Sequence, residues 1–398
     1  MDKMTVRDIE VTGKRVLVRV DFNVPLDEES GAIADDSRIQ ATLPTIKYLL
    51  RRKAKVILAS HLGRPKGKVV DKLRMTGIAQ RLSQILGQQV GVATDCIGPE
   101  VEKSVASLKA GEALLLENIR FHPEEEANDA SFAQQLAGLA DIYVNDAFGA
   151  SHRAHASVVG ITEYLPAVAG LLVEKEVYIM ETLLTNPAHP LAKLVGGAKI
   201  SDKIDMLENF LDKADVILIG GGMAATFLKA RSYEVGRSMV DDAKMDFVTK
   251  LLEAVSRNRA RLLLPVDVII AEELNSEAEF KTVAVEDIPP GWKIADIGPQ
   301  TVKLFQDELA KCRTVFWNGP MGIYEIPRFA AGTEAMARCL AGLRATTIVG
   351  GGSTAEAVIE MGLAGKMTFV STGGGASLQF LGGNKLPGIE ALSDKTPR

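Results

Sequence analysis

The residues with the most chemistry to offer are three glycine triplets, at 220–222, 350–352 and 373–375, each following a short apolar run. Bare backbone at the carboxyl end of a parallel strand can approach a ligand closely and aim several N–H groups at one point. That geometry suits phosphate oxygens. One such triplet reads equally well as a turn, but three in one half of the chain favour a phosphate site. The other half offers cations instead. Asp21-Phe22-Asn23, His61-Leu62-Gly63-Arg64, Asn118-Ile119-Arg120-Phe121-His122 and Ser151-His152-Arg153-Ala154-His155 all follow apolar runs, and Arg38 sits in the first turn of a helix opened by Asp36-Ser37. Singly, each His or Arg is a solvated loop residue. Together, in an acidic protein, they predict a compact basic pocket, and because arginine forks match carboxylate and phosphate oxygens in pairs, its ligand is small and multiply anionic. A cation in a helix's first turn opposes the helix dipole, so Arg38 is expected to meet an anionic partner outside that helix.

Two further groups belong with the glycines. Gly196-Gly197-Ala198-Lys199 leads to Lys203, and the spacing of four predicts that both lysines share a face of one helix running to Lys213, where phosphates would offset their opposition to the dipole. A solvated helix face is the alternative. Asn318-Gly319-Pro320-Met321-Gly322 follows another apolar run, with Glu325 in the loop beyond.

The elements that must position these groups alternate between strand and helix. Short β-branched runs predict strands over 15–20, 55–60, 113–117 and 141–145, then 191–195, 215–219, 262–266, 282–285, 314–317, 346–349 and 367–370. Helical spacing fills the intervals, including 36–53, 241–257, 300–311 and 354–365. Such alternation implies parallel sheets, whose ligands lie beyond the carboxyl ends of the strands. A long helix over 166–184, stopped by Asn186-Pro187, separates the cationic half from the glycine-loop half.

Composition narrows the function classes. The chain has 398 residues, 46% hydrophobic and 24% charged, enough for two or three domains with real cores. A formal charge of -5 argues against a general nucleic-acid or anionic-membrane binder. Cys96, Cys312 and Cys339 form no close pair and no metal-ligand spacing, which points to a reducing compartment. No leader and no apolar run of about 20 residues is found, so a cytoplasmic location is expected. The Walker A pattern, GxGxxG after a strand and the protein-kinase catalytic signatures are absent, which leaves phosphoryl transfer between a bound nucleotide and a small anion as the chemistry that uses both halves.

The motifs DFNVPL (21–26), SHLGRP (60–65), LENIRFHPEEE (116–126), NDAFGASHRAHAS (145–157), GGAKISDKI (196–204), GGGMAATFLK (220–229), WNGPMGIYE (317–325) and STGGGASL (371–378) resemble those of the phosphoglycerate kinase family, in its order along essentially the whole chain. The resemblance implies two doubly wound, Rossmann-like α/β domains joined by a long helix, with a cleft between them. A phosphoglycerate-binding domain would comprise 1–170 with about 382–398, the hinge 166–187, and the nucleotide-binding domain 188–381. It implies reversible transfer between ATP and 3-phosphoglycerate, with Mg²⁺, by a monomer that closes about its hinge. Carried over residue by residue, Asp21, Phe22, Asn23, Arg38, His61, Leu62, Gly63, Arg64, Arg120 and Arg153 form the phosphoglycerate site. Gly197, Lys203, Gly221, Gly222, Asn318, Pro320, Glu325, Gly350, Gly351, Gly352 and Ser353 form the nucleotide site, with Glu325 on the ribose. Arg38, Lys199 and the backbone around Gly351, Gly373 and Gly374 are the implied catalytic groups. One position departs from the pattern: Ser353 stands where the family carries an aspartate that helps to hold magnesium, so a hydroxyl is the only ligand implied there. Another acyl-phosphate kinase, or a relative that binds nucleotide and phosphoglycerate without turnover, are the alternative readings.

Overall fold

The computed structural model describes residues 1–257 and 260–395. The chain divides into two compact units, one of residues 1–179 together with the stretch from Lys385 onward, the other Met180–Asn384.

In the first unit β1 (Arg15–Arg19), β2 (Lys55–Ala59), β3 (Val90–Val92), β4 (Ala113–Leu115), β5 (Ile142–Asn145) and β6 (Ala167–Ala169) form one parallel sheet in the order β3-β4-β2-β1-β5-β6. The central strands are apolar almost without interruption because both faces are covered. Val16, Val18, Val56 and Leu58 share a core with Ile39, Ile46 and Leu49 of the helix Ser37–Arg51. Parallel pairing then brings Asp21, His61, Asn118 and Asp146, each just beyond a strand, to the same edge of the sheet.

The residues expected to begin the long helix do something else. Ala167–Ala169 pair with β5 as a strand, and the helix is Leu171–Thr185. A three-residue apolar run after Pro166 cannot be told from a helix start by periodicity. What separates the two elements is Asp146, whose Oδ1 accepts from Leu172 N at 2.9 Å, with Gly170 packed against it. Residues beyond Lys385 return to this unit: Asn145 Nδ2 donates to Gly388 O at 2.9 Å, Gly388 N to Ser151 O at 2.8 Å, and Lys3 bridges to Asp394.

The second unit holds β7 (Leu191–Val195), β8 (Val216–Ile219), β9 (Arg261–Leu263), β10 (Asp267–Ala271), β11 (Phe280–Ala284), β12 (Lys293–Ile297), β13 (Thr314–Asn318), β14 (Thr346–Gly350) and β15 (Phe369–Val370). Six of them make a parallel sheet, β15-β14-β13-β7-β8-β9, over a core that includes Trp317, Phe305 and Met336. The other three make a small antiparallel sheet, β11-β10-β12, which an all-parallel reading does not anticipate. Pro265 is the reason: it ends β9, and the expected strand over 262–266 gives way to a new strand at Asp267, whose carboxylate accepts from Thr301 N at 2.7 Å.

Two helix expectations are corrected here. Lys199 lies ahead of any helix, since Ser201–Lys203 is a 3-10 turn and the α-helix is Ile204–Phe210, so the two lysines share no helical face. The helix expected from Thr354 begins at Gly352, inside the glycine triplet.

Candidate active site

The cationic groups of the first unit converge on His61. This ring is 6% exposed, and Arg19 Nη2 lies 3.2 Å from its Nδ1. A guanidinium has no acceptor, so Nδ1 must present its lone pair and the imidazole is neutral. Burial, then the charges of Arg19, Arg120, Arg38 and Arg153, hold the pKa of His61 well below the usual histidine range. Burial, then the charges of Arg120, Arg19 and Arg153, push His155 down to about 4, and burial with Arg153 lowers His152. The pocket thus disfavours charge on these histidines.

Arg38 and Arg120 are held by different parts of the sheet edge. Arg38 donates to Asp21 Oδ2 at 2.6 Å, which is the anionic partner its place in the helix calls for. Arg120 Nη1 donates to Gly63 O at 3.0 Å, and Asn23 Oδ1 accepts from Gly63 N at 2.7 Å, so the loop after β2 is fixed from both sides. Arg120 Nε is buried 3.3 Å from Glu126 Oε1 yet makes no hydrogen bond, and His152 Nδ1 is likewise buried without one. Unsatisfied buried donors of this kind fit a ligand that accepts hydrogen bonds. Phe22 and Leu62 put their side chains into the core, and Arg64 is exposed on the following loop. Arg19 has no place in the motif reading although it is fully buried; its Nε donates to Ser157 Oγ at 2.8 Å, whose hydroxyl donates to Glu125 Oε1 at 2.6 Å. Arginine at both ends of the otherwise apolar RVLVR was the available signal, since the inner one can only be buried with partners.

In the second unit the loops after four strands form a pocket of about 470 Å³ lined by Gly197, Lys199, Lys203, Asn318, Gly351, Ser353 and Gly374, among others. Backbone bonds tie its walls: Gly197 N donates to Pro320 O at 2.8 Å, Gly196 N to Asn318 O at 2.9 Å and Gly221 N to Met321 O at 2.9 Å. Asn318 Nδ2 donates to Gly350 O at 2.9 Å, and Gly319 N to Thr354 Oγ1 at 2.6 Å. Gly351 precedes the helix Gly352–Glu360 with φ +95°, and a Cβ there would stand 2.7 Å from Asn318 Nδ2, so glycine is required for the turn that points this helix start at the pocket. A helix N-terminus with free N–H groups favours an anion.

Lys203 is buried, and desolvation lowers its pKa, which an anionic ligand would reverse. Lys199 is exposed on the pocket rim. Pro320 also lines the pocket, whereas Gly221, Gly222, Gly350, Gly373 and Glu325 do not. Gly221 and Gly350 support its walls from behind, and Glu325 is exposed in the loop beyond β13. Asp202, Thr354 and Leu378 also line it, although none of them was assigned a role from the motifs. For a metal ion the lining offers Ser353, Thr354 and one carboxylate, Asp202. That sparse oxygen set fits a hard ion that keeps most of its ligands as water and phosphate.

Comparison with known proteins bears on the whole chain. The family model described as phosphoglycerate kinase matches residues 6–384. The chain is 55% identical over 395 residues to a phosphoglycerate kinase of Pelotomaculum thermopropionicum, covering 99% of this chain and 100% of that protein. It is 56% identical to one of Synechococcus elongatus, with 98% of each covered. Among solved structures, phosphoglycerate kinase from Coxiella burnetii superposes with a TM-score of 0.85 at 39% identity, and that from Pyrococcus horikoshii with 0.85 at 32%; each comparison covers 98% of both chains.

Proposed function

The chain belongs to the phosphoglycerate kinase family, and from that premise we propose how its residues divide the work of moving a phosphoryl group between ATP and 3-phosphoglycerate, the glycolytic exchange that also yields ADP and 1,3-bisphosphoglycerate. The observation that carries the division is the contrast between the units: arginines around neutral histidines in one, a glycine-walled pocket with two lysines in the other.

The first unit takes the three-carbon acid. Arg38, Arg120 and Arg153, with Arg64 on the loop, pair with its phosphate and carboxylate, while Asp21, Asn23 and Gly63 fix the loop and the Arg38 fork. His61 serves as a neutral hydrogen-bond donor through Nε2. The nucleophile is a carboxylate with an ordinary pKa of about 3.5, ionised near neutrality, so the site needs no general base. The second unit takes the nucleotide: Gly197, Gly351, Gly352 and Gly374 face the phosphates, Lys203 pairs with them, Asn318 and Pro320 lie toward the nucleoside, and Glu325, in the loop beyond β13, takes the ribose.

Transfer then requires alignment and charge neutralisation, because a migrating phosphoryl group spreads its charge over the equatorial oxygens. Arg38, Lys199 and the N–H groups around Gly351, Gly373 and Gly374 supply the neutralisation. Mg²⁺, where bound with the nucleotide, offsets phosphate charge; Ser353 and Asp202 are the groups on this chain that would reach it. Closure of the units about the helix Leu171–Thr185 would exclude water during transfer. Among the described residues no helix is long and apolar enough to cross a membrane; a cytoplasmic monomer is the reading we adopt.

The test is a coupled assay supplying ATP with 3-phosphoglycerate, acetate or aspartate in turn. Turnover with 3-phosphoglycerate alone is expected. Faster turnover of another carboxylate, or nucleotide binding with no turnover of any, would overturn the assignment.

A further inference from the structure

A second set of donor atoms lies in the first unit, apart from those given roles above. The loops that follow the neighbouring strands β3 and β4 bring together Asp95, Cys96 and His122, whose ligand atoms all lie within 4.8 Å of one another. Spacing along the chain hides this group, because the imidazole arrives from a different loop. The structure also shows how it is braced. His122 Nε2 is 2.7 Å from Asp95 Oδ1, the same oxygen accepts from Cys96 N at 2.7 Å, and Asp95 O accepts from Glu117 N at 3.3 Å. The His122 ring rests on Phe132, with centroids 5.3 Å apart. Cys96 is fully buried, whereas the Asp95 side chain is 48% exposed and that of His122 25%.

We propose that Asp95, Cys96 and His122 form a binding site for a borderline-soft divalent cation of the Zn²⁺ class, with water in the remaining position. The donor set decides the class. Thiolate and imidazole select zinc-like ions, while magnesium prefers oxygen alone, so this site does not compete for the ion that travels with the nucleotide. Charge balances as well: thiolate and carboxylate together neutralise a divalent ion, and one proton, that of the thiol, leaves on binding. A tetrahedral ion needs its donors about 3.3–3.6 Å apart. The bonded His122–Asp95 pair must therefore open and the sulfur close in, and the half-exposed Asp95 is the side chain free to move. The buried sulfur and the imidazole packed on Phe132 give the fixed side of the site, and the exposed side leaves room for the water.

Binding would have a local consequence. His122 directly follows the turn Ile119–Phe121 that carries Arg120, so an ion there fastens this turn to the loop after β3.

The experiment titrates the full-length, tag-free protein with Co²⁺ in a phosphine-reduced, chelator-free buffer, then displaces it with Zn²⁺. One equivalent is expected, with a near-ultraviolet sulfur-to-cobalt charge-transfer band and the strong visible bands of a four-coordinate site. Cys96→Ser is expected to remove the charge-transfer band, and His122→Gln to weaken Zn²⁺ binding by at least about tenfold by calorimetry. His189→Gln, at an exposed histidine of the second unit, should bind as the parent does. Should Cys96→Ser fail to fold, the partly exposed His122→Gln carries the test alone. Cobalt bound without the charge-transfer band, Zn²⁺ affinity unchanged in His122→Gln, or no binding at millimolar ion would overturn the proposal.

Discussion

A methyl group at position 221 probes the claim that the nucleotide pocket is a set of backbone loops held at fixed separation. Gly221 has φ +65°, and a Cβ there would lie 2.5 Å from Gly197 N, 2.7 Å from Pro320 O and 2.9 Å from Gly197 O. None of these is the end of a flexible side chain. Two of the loops that line the pocket would have to move by roughly 0.7–0.9 Å to restore ordinary contact, an overpacking cost of about 1–3 kcal/mol. Alanine in the left-handed region adds about 1–2 kcal/mol. Gly221→Ala should therefore lose about 2–5 kcal/mol. For a unit of this size each kcal/mol lowers Tm by about 2–4 °C, which gives a fall of about 4–20 °C. Trp292 and Trp317, the two tryptophans of the chain, both lie in the second unit, so intrinsic fluorescence reports its melting directly. The KM for ATP should rise while that for 3-phosphoglycerate stays near the parent value. Gly222→Ala is the control, since its nearest neighbours are at 3.3 Å and its φ is not in the left-handed region. If Gly221→Ala melts within a degree of the parent and binds ATP normally, the loops are not held as described.

Lys199→Ala is expected to lower kcat by on the order of 10²–10³ with a smaller change in KM, as loss of one preorganised cation does; unchanged steady-state turnover would remove Lys199 from the transfer step. Ser353→Asp should tighten Mg-nucleotide binding by restoring a charged oxygen to the pocket, and a calorimetric titration with equal affinity for both forms would count against a metal role at this position. Burial pushes the pKa of Asp146 up to about 7 from 3.8. The folded state therefore holds an extra proton between those values, and stability falls as pH rises through that window, by about 1.4 kcal/mol per unit at most. Asp146→Asn, which keeps the acceptor for Leu172 N, should lose this slope between pH 5 and pH 7 in urea titrations followed by far-ultraviolet circular dichroism. A wild-type slope retained in the variant would show that another group sets it.

The alternation of strands and helices was legible because each strand is a short apolar run with both faces covered, as in Val216–Ile219. Of the three glycine triplets, those at 350–352 and 373–375 contribute to the second unit's pocket, through Gly351, Gly352, Gly374 and Gly375, while 220–222 lies behind it, with Gly221 N donating to Met321 O. What escaped notice depends on contacts distant in sequence. Ala167–Ala169 is a strand only because β5 is there to pair with it. Lys193, within β7, is fully buried with its Nζ 3.1 Å from the centre of the Phe210 ring, and burial drives its pKa well down. The two lysines after Gly197 were assigned a common helix from their spacing, but a 3-10 turn intervenes and both still reach one pocket, by loop geometry rather than by helical period. Arg19 carries no motif, and Asp202 sits inside one without being marked for a role; both come into view only once the strands are set side by side.

The first unit is sewn shut by residues that the ribosome makes only after the whole of the second unit. Asn145 at the tip of β5 and Ser151 beyond it both wait for Gly388, and Lys3 waits for Asp394. All of 180–384 is synthesised between those partners, so the unit that begins first is finished second. During translation its sheet must survive incomplete while the later unit, whose segments are contiguous, is free to fold as soon as it emerges.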